Sequence, residues 1–221
     1  MSDDDREAPG LDRLRRTPMT WPELQSIILS PNLDDLSKLA RSEEQQITYR
    51  KCRANIKNEW ESIYDYLLCT KFDFDWEWVE VEVGGSGPVD APSQNSDIII
   101  QRKRRSKPTF QEYQNELRRN LNNDKGKHES KQLRICMNDF PYYFAPGIQH
   151  WVLWKLGGDV TSDEILQAKK CIFRDDYQLK HIIHNDIIVN STEVFLHWVN
   201  PPHLKSLPGI DHVHILFRVQ N

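Results

Sequence analysis

Two imidazoles lie two residues apart near the end of the chain, in Asp211-His212-Val213-His214-Ile215-Leu216-Phe217-Arg218-Val219. The segment is rich in β-branched and aromatic residues, which suits a strand, and strand side chains alternate between faces. His212, His214 and Leu216 therefore share one face, while Val213, Ile215 and Phe217 share the other. Imidazoles so placed could serve three chemistries: metal ligation, nucleophilic or acid–base catalysis, and hydrogen bonding in a half-polar core. A metal would require at least one further protein ligand; Asp211, His197 and His150 are available, at spacings that define no geometry. A nucleophile would attack phosphorus from one ring nitrogen while a hydrogen bond at the other fixes the tautomer. On composition alone, a pair of sheet histidines bonded to loop carbonyls is the stronger reading.

The elements that must hold these side chains are legible in outline. Glu193 to Val199 reads as a buried strand that ends at Asn200-Pro201-Pro202, where two prolines stop any ladder. A loop with Ser206-Leu207-Pro208-Gly209 leads to the histidine strand. Upstream, Leu133 to Met137 and Gln149 to Lys155 read as a hairpin around the turn-rich loop Asn138 to Gly147. Thr161-Ser162-Asp163-Glu164 is a capping box opening a helix to about Asp175, with Ile165, Leu166, Ala168 and Ile172 inward. Lys180 to Val189, with His181 and His184, fits helix or strand equally.

The first half is mainly helical. Residues 1–19 read as a mobile tail. Thr20-Trp21-Pro22-Glu23 then starts a helix, and a short helix covers about Leu33 to Ala40. A capping box at Ser42-Glu43-Glu44-Gln45 opens the longest helix, whose apolar face runs to about Cys69. Phe72 to Val83 alternates aromatic or aliphatic with acidic residues and reads as extended. Residues 84–96 form a Gly/Pro/Ser-rich flexible insertion. The basic run Arg102 to Lys107 reads as a solvated loop, with nuclear import or phosphate contact as the sharper alternative. Thr109 to about Asn120 is another amphipathic helix. The expected fold is α+β in one domain over 20–221: a helical part at 20–121, then an antiparallel sheet part at 131–221.

The 221 residues are 38% hydrophobic and 28% charged, so a core forms beneath a heavily solvated surface. The formal charge of −4 is spread with alternating sign, which makes no case for nucleic acid or an anionic membrane. Four cysteines with no C-x-x-C pair fit a reducing compartment rather than a disulfide framework or zinc ribbon. The acidic amino terminus has no signal-like apolar run, and no stretch reaches membrane-spanning length. The expected location is cytoplasmic, with the basic run leaving a nuclear address open.

Asn138, Pro141-Tyr142, Gly147 and His150, followed by Asn200, Ser206 and His212-Val213-His214, resemble the ordered signature of the histidine-triad (HIT-like) superfamily. Over residues 20–219 the chain is more similar to the fungal N-acetylglucosamine-induced proteins. That likeness includes Tyr49, Trp60, Asn138-Asp139-Phe140-Pro141-Tyr142, Gly147 to Trp154, Trp198-Val199-Asn200-Pro201-Pro202 and Ser206-Leu207-Pro208. The triad resemblance implies a HIT-like sheet that binds a nucleotide or nucleotide sugar. It implies His214 as phosphorus nucleophile with His212 as orienting neighbour, and ligand contacts from Asn138, Tyr142, His150, Asn200 and Ser206; Trp198 and Arg218 are further candidate ligand contacts. The activity implied is nucleotidyl transfer or phosphoanhydride hydrolysis, with no cofactor. Two departures weigh against turnover: Leu216 replaces the third histidine, and Ser206 lies further ahead of His212 than the pattern sets it. The alternatives are a non-catalytic regulatory or interaction protein linked to amino-sugar metabolism, and metal binding through His212 and His214. Trp151, Trp154 and Trp198 serve as core in the plainer reading.

Overall fold

Four antiparallel strands carry the histidines, in the order β3-β4-β6-β5. They are β3 (Leu133–Met137), β4 (Ile148–Lys155), β5 (Phe195–Trp198) and β6 (Asp211–Arg218). The computed structural model describes residues 14–83, 99–122, 133–177 and 190–219. The expected insertion at 84–96, the ambiguous Lys180–Val189 segment with its two histidines, and the first thirteen residues of the expected tail lie outside the described residues. The chain groups into two compact units, residues 1–49 with 127–221 and residues 50–126.

In the first unit β6 pairs β4 along one side and β5 along the other, so its own edges are closed. The alternation expected for β6 holds. Val213, Ile215 and Phe217 join Leu153 and Phe195 in a core covered by Ala168 and Ile172 of α5 (Ser162–Tyr177). The expected Thr161 capping box forms, with Thr161 N–H donating to Glu164 Oε2 at 2.7 Å and Glu164 N–H to Thr161 Oγ1 at 3.3 Å.

The opposite, histidine-bearing face is covered by the amino-terminal segment. Leu196, Trp198 and Leu216 pack with Trp21, Leu24 and Ile27 of α1 (Trp21–Ile28) and with Leu36 of the 3-10 turn Leu33–Lys38. Each fully buried aliphatic or aromatic side chain in such a layer contributes roughly 1.5–3 kcal/mol. Residues 14–19, read from sequence as part of a mobile tail, are instead tied down. Arg15 N–H donates to Arg41 O and Met19 N–H to Tyr143 O, while Met19 O accepts from Ala145 N–H. Met19 is fully buried, which explains why this stretch is ordered.

The second unit begins within α2 (Glu43–Glu59) and includes α3 (Ile63–Phe72), a ribbon of β1 (Asp75–Val83) and β2 (Ile99–Lys107), and α4 (Phe110–Asn122). The single long helix expected to reach Cys69 is divided. Ser62 caps α3 through the Asp65 N–H at 3.1 Å and also bonds the buried Asp65 carboxylate at 2.5 Å. The other carboxylate oxygen of Asp65 accepts from the N–H and hydroxyl of Ser106, at 2.9 and 2.6 Å. A satisfied buried carboxylate at this point outweighs the continuity of the apolar stripe. The basic run is a strand rather than the expected loop. Its cations oppose the acids of β1 in register, Arg105 facing Glu77 and Arg102 facing Glu80, and Arg105 bonds Glu77 at 3.0 Å.

Candidate functional site

The site is built where the Asn138–Gly147 loop folds back over β4 and β6. Asn138 N–H continues the ladder by donating to His150 O at 2.7 Å, and its Oδ1 accepts the Phe140 N–H at 2.9 Å, a side-chain-closed turn. Gly147 adopts φ 82 at the entry to β4, a left-handed conformation that glycine takes without steric penalty. Tyr143 N–H donates to Ala40 O at 2.9 Å, and together with the Met19 bonds this fixes the loop. Tyr142 is thereby laid over the His150 ring, with centroids 5.7 Å apart and planes at 21°.

His150, His212 and His214 are all buried. Burial holds His150 down to about 3, with the Arg41 charge adding to the effect. Burial likewise holds His214 well below its ordinary value, and lowers His212 against the opposing hydrogen bond that His212 donates to the Ile210 carbonyl. All three imidazoles are therefore neutral at neutral pH.

The hydrogen-bonding partner of His214 is His150, not His212. His150 Nε2 lies 3.0 Å from His214 Nδ1, whereas His212 Nδ1 turns to the Ile210 carbonyl at 3.0 Å. Strand side chains two residues apart stand roughly 6.6 Å from each other along the chain; a diagonal neighbour on the paired strand comes closer. The expectation that His212 orients His214 is corrected accordingly. His212 stands edge-on to His214 at 5.3 Å and packs on Trp154 at 4.9 Å.

The protonation pattern follows from one fixed donor. Trp198 Nε1–H can only donate, and Asn200 Oδ1 accepts it at 2.9 Å. The Asn200 amide nitrogen then faces His214 Nε2 at 3.3 Å and donates to it. The His214 proton must sit on Nδ1 and is donated to His150 Nε2, which leaves the proton of His150 on Nδ1. Asn138 Nδ2 is nearly equidistant from both His150 nitrogens, at 3.2 and 3.3 Å, so it is aimed squarely at neither. The result is a directed chain from Trp198 through Asn200 and His214 to His150. The Trp198 ring also stacks on His214, with centroids 4.7 Å apart and planes at 15°.

The structure thus brings together Asn138, Tyr142, His150, Trp198, Asn200 and His214, with His212 adjoining. It does not bring in the other two expected contacts. Ser206 lies in the loop before β6 and its hydroxyl makes no hydrogen bond among the described residues. Arg218 is exposed four residues beyond His214, roughly 13 Å along a strand, and meets Glu193 at 3.9 Å. Asp211 accepts from Val160 N–H and Lys205, at 2.8 and 3.0 Å. Among the described residues no group of three His, Cys, Asp or Glu side chains is placed to hold a metal ion. Of the tryptophans, Trp198 and Trp154 line the histidine face, while Trp151 packs into the core on the other side.

Sequence reasoning missed Arg41, whose guanidinium lies over Tyr142 and donates to Phe140 O. It also missed Phe144, edge-on to His150 at 5.4 Å. The position of Arg41 directly before a capping box was visible, but nothing local connects it to a loop about a hundred residues away.

These observations describe an α+β protein with a neutral, buried imidazole pair on an antiparallel sheet. The chain belongs to the family described as "Protein of unknown function (DUF3605)", which it matches over residues 20–218. It is similar to N-acetylglucosamine-induced protein 1 of Candida albicans, with 28% identity over 207 residues that cover 91% of this chain and 68% of the relative. Among solved structures it is similar to that titled "Crystal Structure of HTC1", with a TM-score of 0.47 and 22% identity, covering 91% of this chain and 85% of the other. Among the described residues no helix is long and apolar enough to cross a membrane.

Proposed function

We propose that this protein binds a nucleotide sugar or a phosphorylated amino sugar at the histidine face of its sheet, and that it does so without a covalent intermediate. The observation that carries this reading is the state of His214. One ring nitrogen donates to His150 and the lone pair of the other accepts from Asn200, so in this arrangement no uncovered lone pair faces a phosphorus. Replacement of a third imidazole by the fully buried Leu216, packed with Leu196 and Trp198, also favours recognition over turnover. The ligand class rests on the triad resemblance and on the name of the Candida albicans relative.

The test is a thermal-shift series on untagged protein with nucleotides, nucleotide sugars and amino-sugar phosphates. A ligand at a hundredfold its dissociation constant stabilises the native state by about 2.7 kcal/mol. The expected outcome is a shift that His214→Ala and Asn200→Ala both remove; absence of any shift in the folded wild type would end the reading.

One observation favours nucleotidyl transfer as a second reading. The Nδ1–H to His150 places the lone pair of His214 on Nε2, covered only by a side-chain amide that a ligand could displace. Attack would form an N–P bond as the P–O bond to the leaving group breaks. A phosphoramidate adduct detected by intact mass after alkaline quench would establish it.

A further inference from the structure

Arg41 stands among hydrogen-bond donors that lack acceptors. Its guanidinium carbon lies 4.1 Å from the Tyr49 ring centroid and 5.2 Å from that of Tyr142. Its Nε and Nη2 both donate to the Phe140 carbonyl, at 3.3 and 3.0 Å, and Nη1 reaches Gln46 Oε1 at 3.5 Å. A guanidinium carries two N–H bonds on each terminal nitrogen, so one on each remains on the forked edge. Among the described residues no carboxylate meets that edge. By contrast Arg15 ends on Glu23, Arg104 on Glu59 and Arg105 on Glu77.

A guanidinium stays charged in a protein, and partial burial without a counter-charge is unfavourable. Burial pushes Arg41 below its ordinary value, opposed only by the two tyrosines. A separate observation points the same way. Gln46 is 4% exposed and its Nε2 has no partner, although its oxygen is committed to Arg41. The Tyr142 hydroxyl makes no hydrogen bond among the described residues, and the Nδ1–H of the adjoining His150 has no aligned acceptor. A cluster with surplus N–H bonds and no anionic acceptor is complementary to paired anionic oxygens, for which the planar fork of arginine is the matching donor.

We propose that Arg41, with Gln46 beside it and the Tyr49 and Tyr142 rings against its face, binds a bidentate oxyanion, a phosphate or carboxylate group of a small ligand. This deepens the ligand-binding reading above and rests on it for the remainder of the ligand.

The experiment compares thermal shifts in sodium phosphate, sodium acetate and sodium chloride at equal ionic strength, for the wild type, Arg41→Lys and Gln46→Leu. The wild type is expected to rise in phosphate or acetate above chloride, and whichever anion acts identifies the group. Arg41→Lys keeps the charge but loses the fork, and should weaken the apparent affinity at least tenfold. Gln46→Leu should weaken it by a smaller factor, and serves as the second variant if Arg41→Lys does not fold. Equal shifts in all three salts, or anion binding by Arg41→Lys as tight as wild type, would overturn the proposal. The nucleotide-sugar series separates the two readings. An Arg41-dependent phosphate shift without any nucleotide-sugar or amino-sugar phosphate response leaves the anion site standing and removes the ligand class. A nucleotide sugar bound equally by wild type and Arg41→Lys does the reverse.

Discussion

At the scale of single residues, the tautomer chain hangs on the Trp198 indole. Trp198→Phe would keep much of the stacking on His214 but free Asn200 Oδ1, which could then rotate toward His214 Nε2 and accept from it. The expected result is a move of the His214 proton from Nδ1 to Nε2, read from imidazole nitrogen chemical shifts, with a stability loss of about 1 kcal/mol for the lost hydrogen bond. Leu216→His, which restores the third histidine of the triad pattern, puts an imidazole into the apolar layer with Leu196, Trp198 and Leu24, across the ladder from His150. It should destabilise by about 2 kcal/mol in urea unfolding, whereas a neutral effect would mean that the site tolerates the full triad. Protonation supplies a third test. Imidazoles in the unfolded chain titrate near 6.5, while His150 is held down to about 3 in the fold. Above pH 6.5 neither state binds the proton and full stability is present. Below it the unfolded state takes up protons that the folded state refuses, so stability falls by about 1.4 kcal/mol per pH unit for each such imidazole. Urea midpoints should therefore drop between about pH 6.5 and 5, less steeply in His150→Gln; an unchanged slope would show that His150 is not among the titrating groups.

At the scale of elements, caps were more visible than breaks or charge registers. The Ser42 capping box forms as its spacing requires, with Ser42 N–H donating to Gln45 Oε1 at 3.0 Å and Gln45 N–H to Ser42 Oγ at 3.2 Å. The apolar stripe to Cys69 concealed a second cap at Ser62, because periodicity reports which face is buried and not whether the backbone is continuous. Ser62→Ala should lower stability by about 1–2 kcal/mol, since it removes both the α3 cap and a bond to the buried Asp65. Chemical denaturation measures this, and a change within a few tenths would mean that Asp65 caps its own environment through Ser106. The basic run illustrates the complementary point: Arg102 to Lys107 read alone is a solvated charge cluster, but set against Glu77 and Glu80 it is half of a strand pair.

At the scale of the whole molecule, strand order ranks the amides. β4 and β6 are paired on both sides, β3 and β5 on one, and β1 with β2 forms a two-stranded ribbon. Hydrogen exchange should be slowest at β4 and β6, including Val213, Ile215 and Phe217, which are fully buried. Faster exchange there than in the ribbon would contradict the stability order this topology implies.

The α+β class, the two hairpins, the alternation that puts His212 and His214 on one face, and the caps at Ser42 and Thr161 were all determined by sequence. Each is set by residues within a turn or a strand of one another, where spacing and side-chain chemistry suffice. The pairing of His214 with His150, the tautomer imposed through Asn200 and Trp198, and the place of Arg41 over Tyr142 were decided only by tertiary structure. Those contacts join residues separated by up to about a hundred positions, and a hydrogen bond depends on distances of a few tenths of an ångström that periodicity does not encode. The same holds for Leu216: as a letter it is a missing histidine, and only its packing with α1 makes it part of the core.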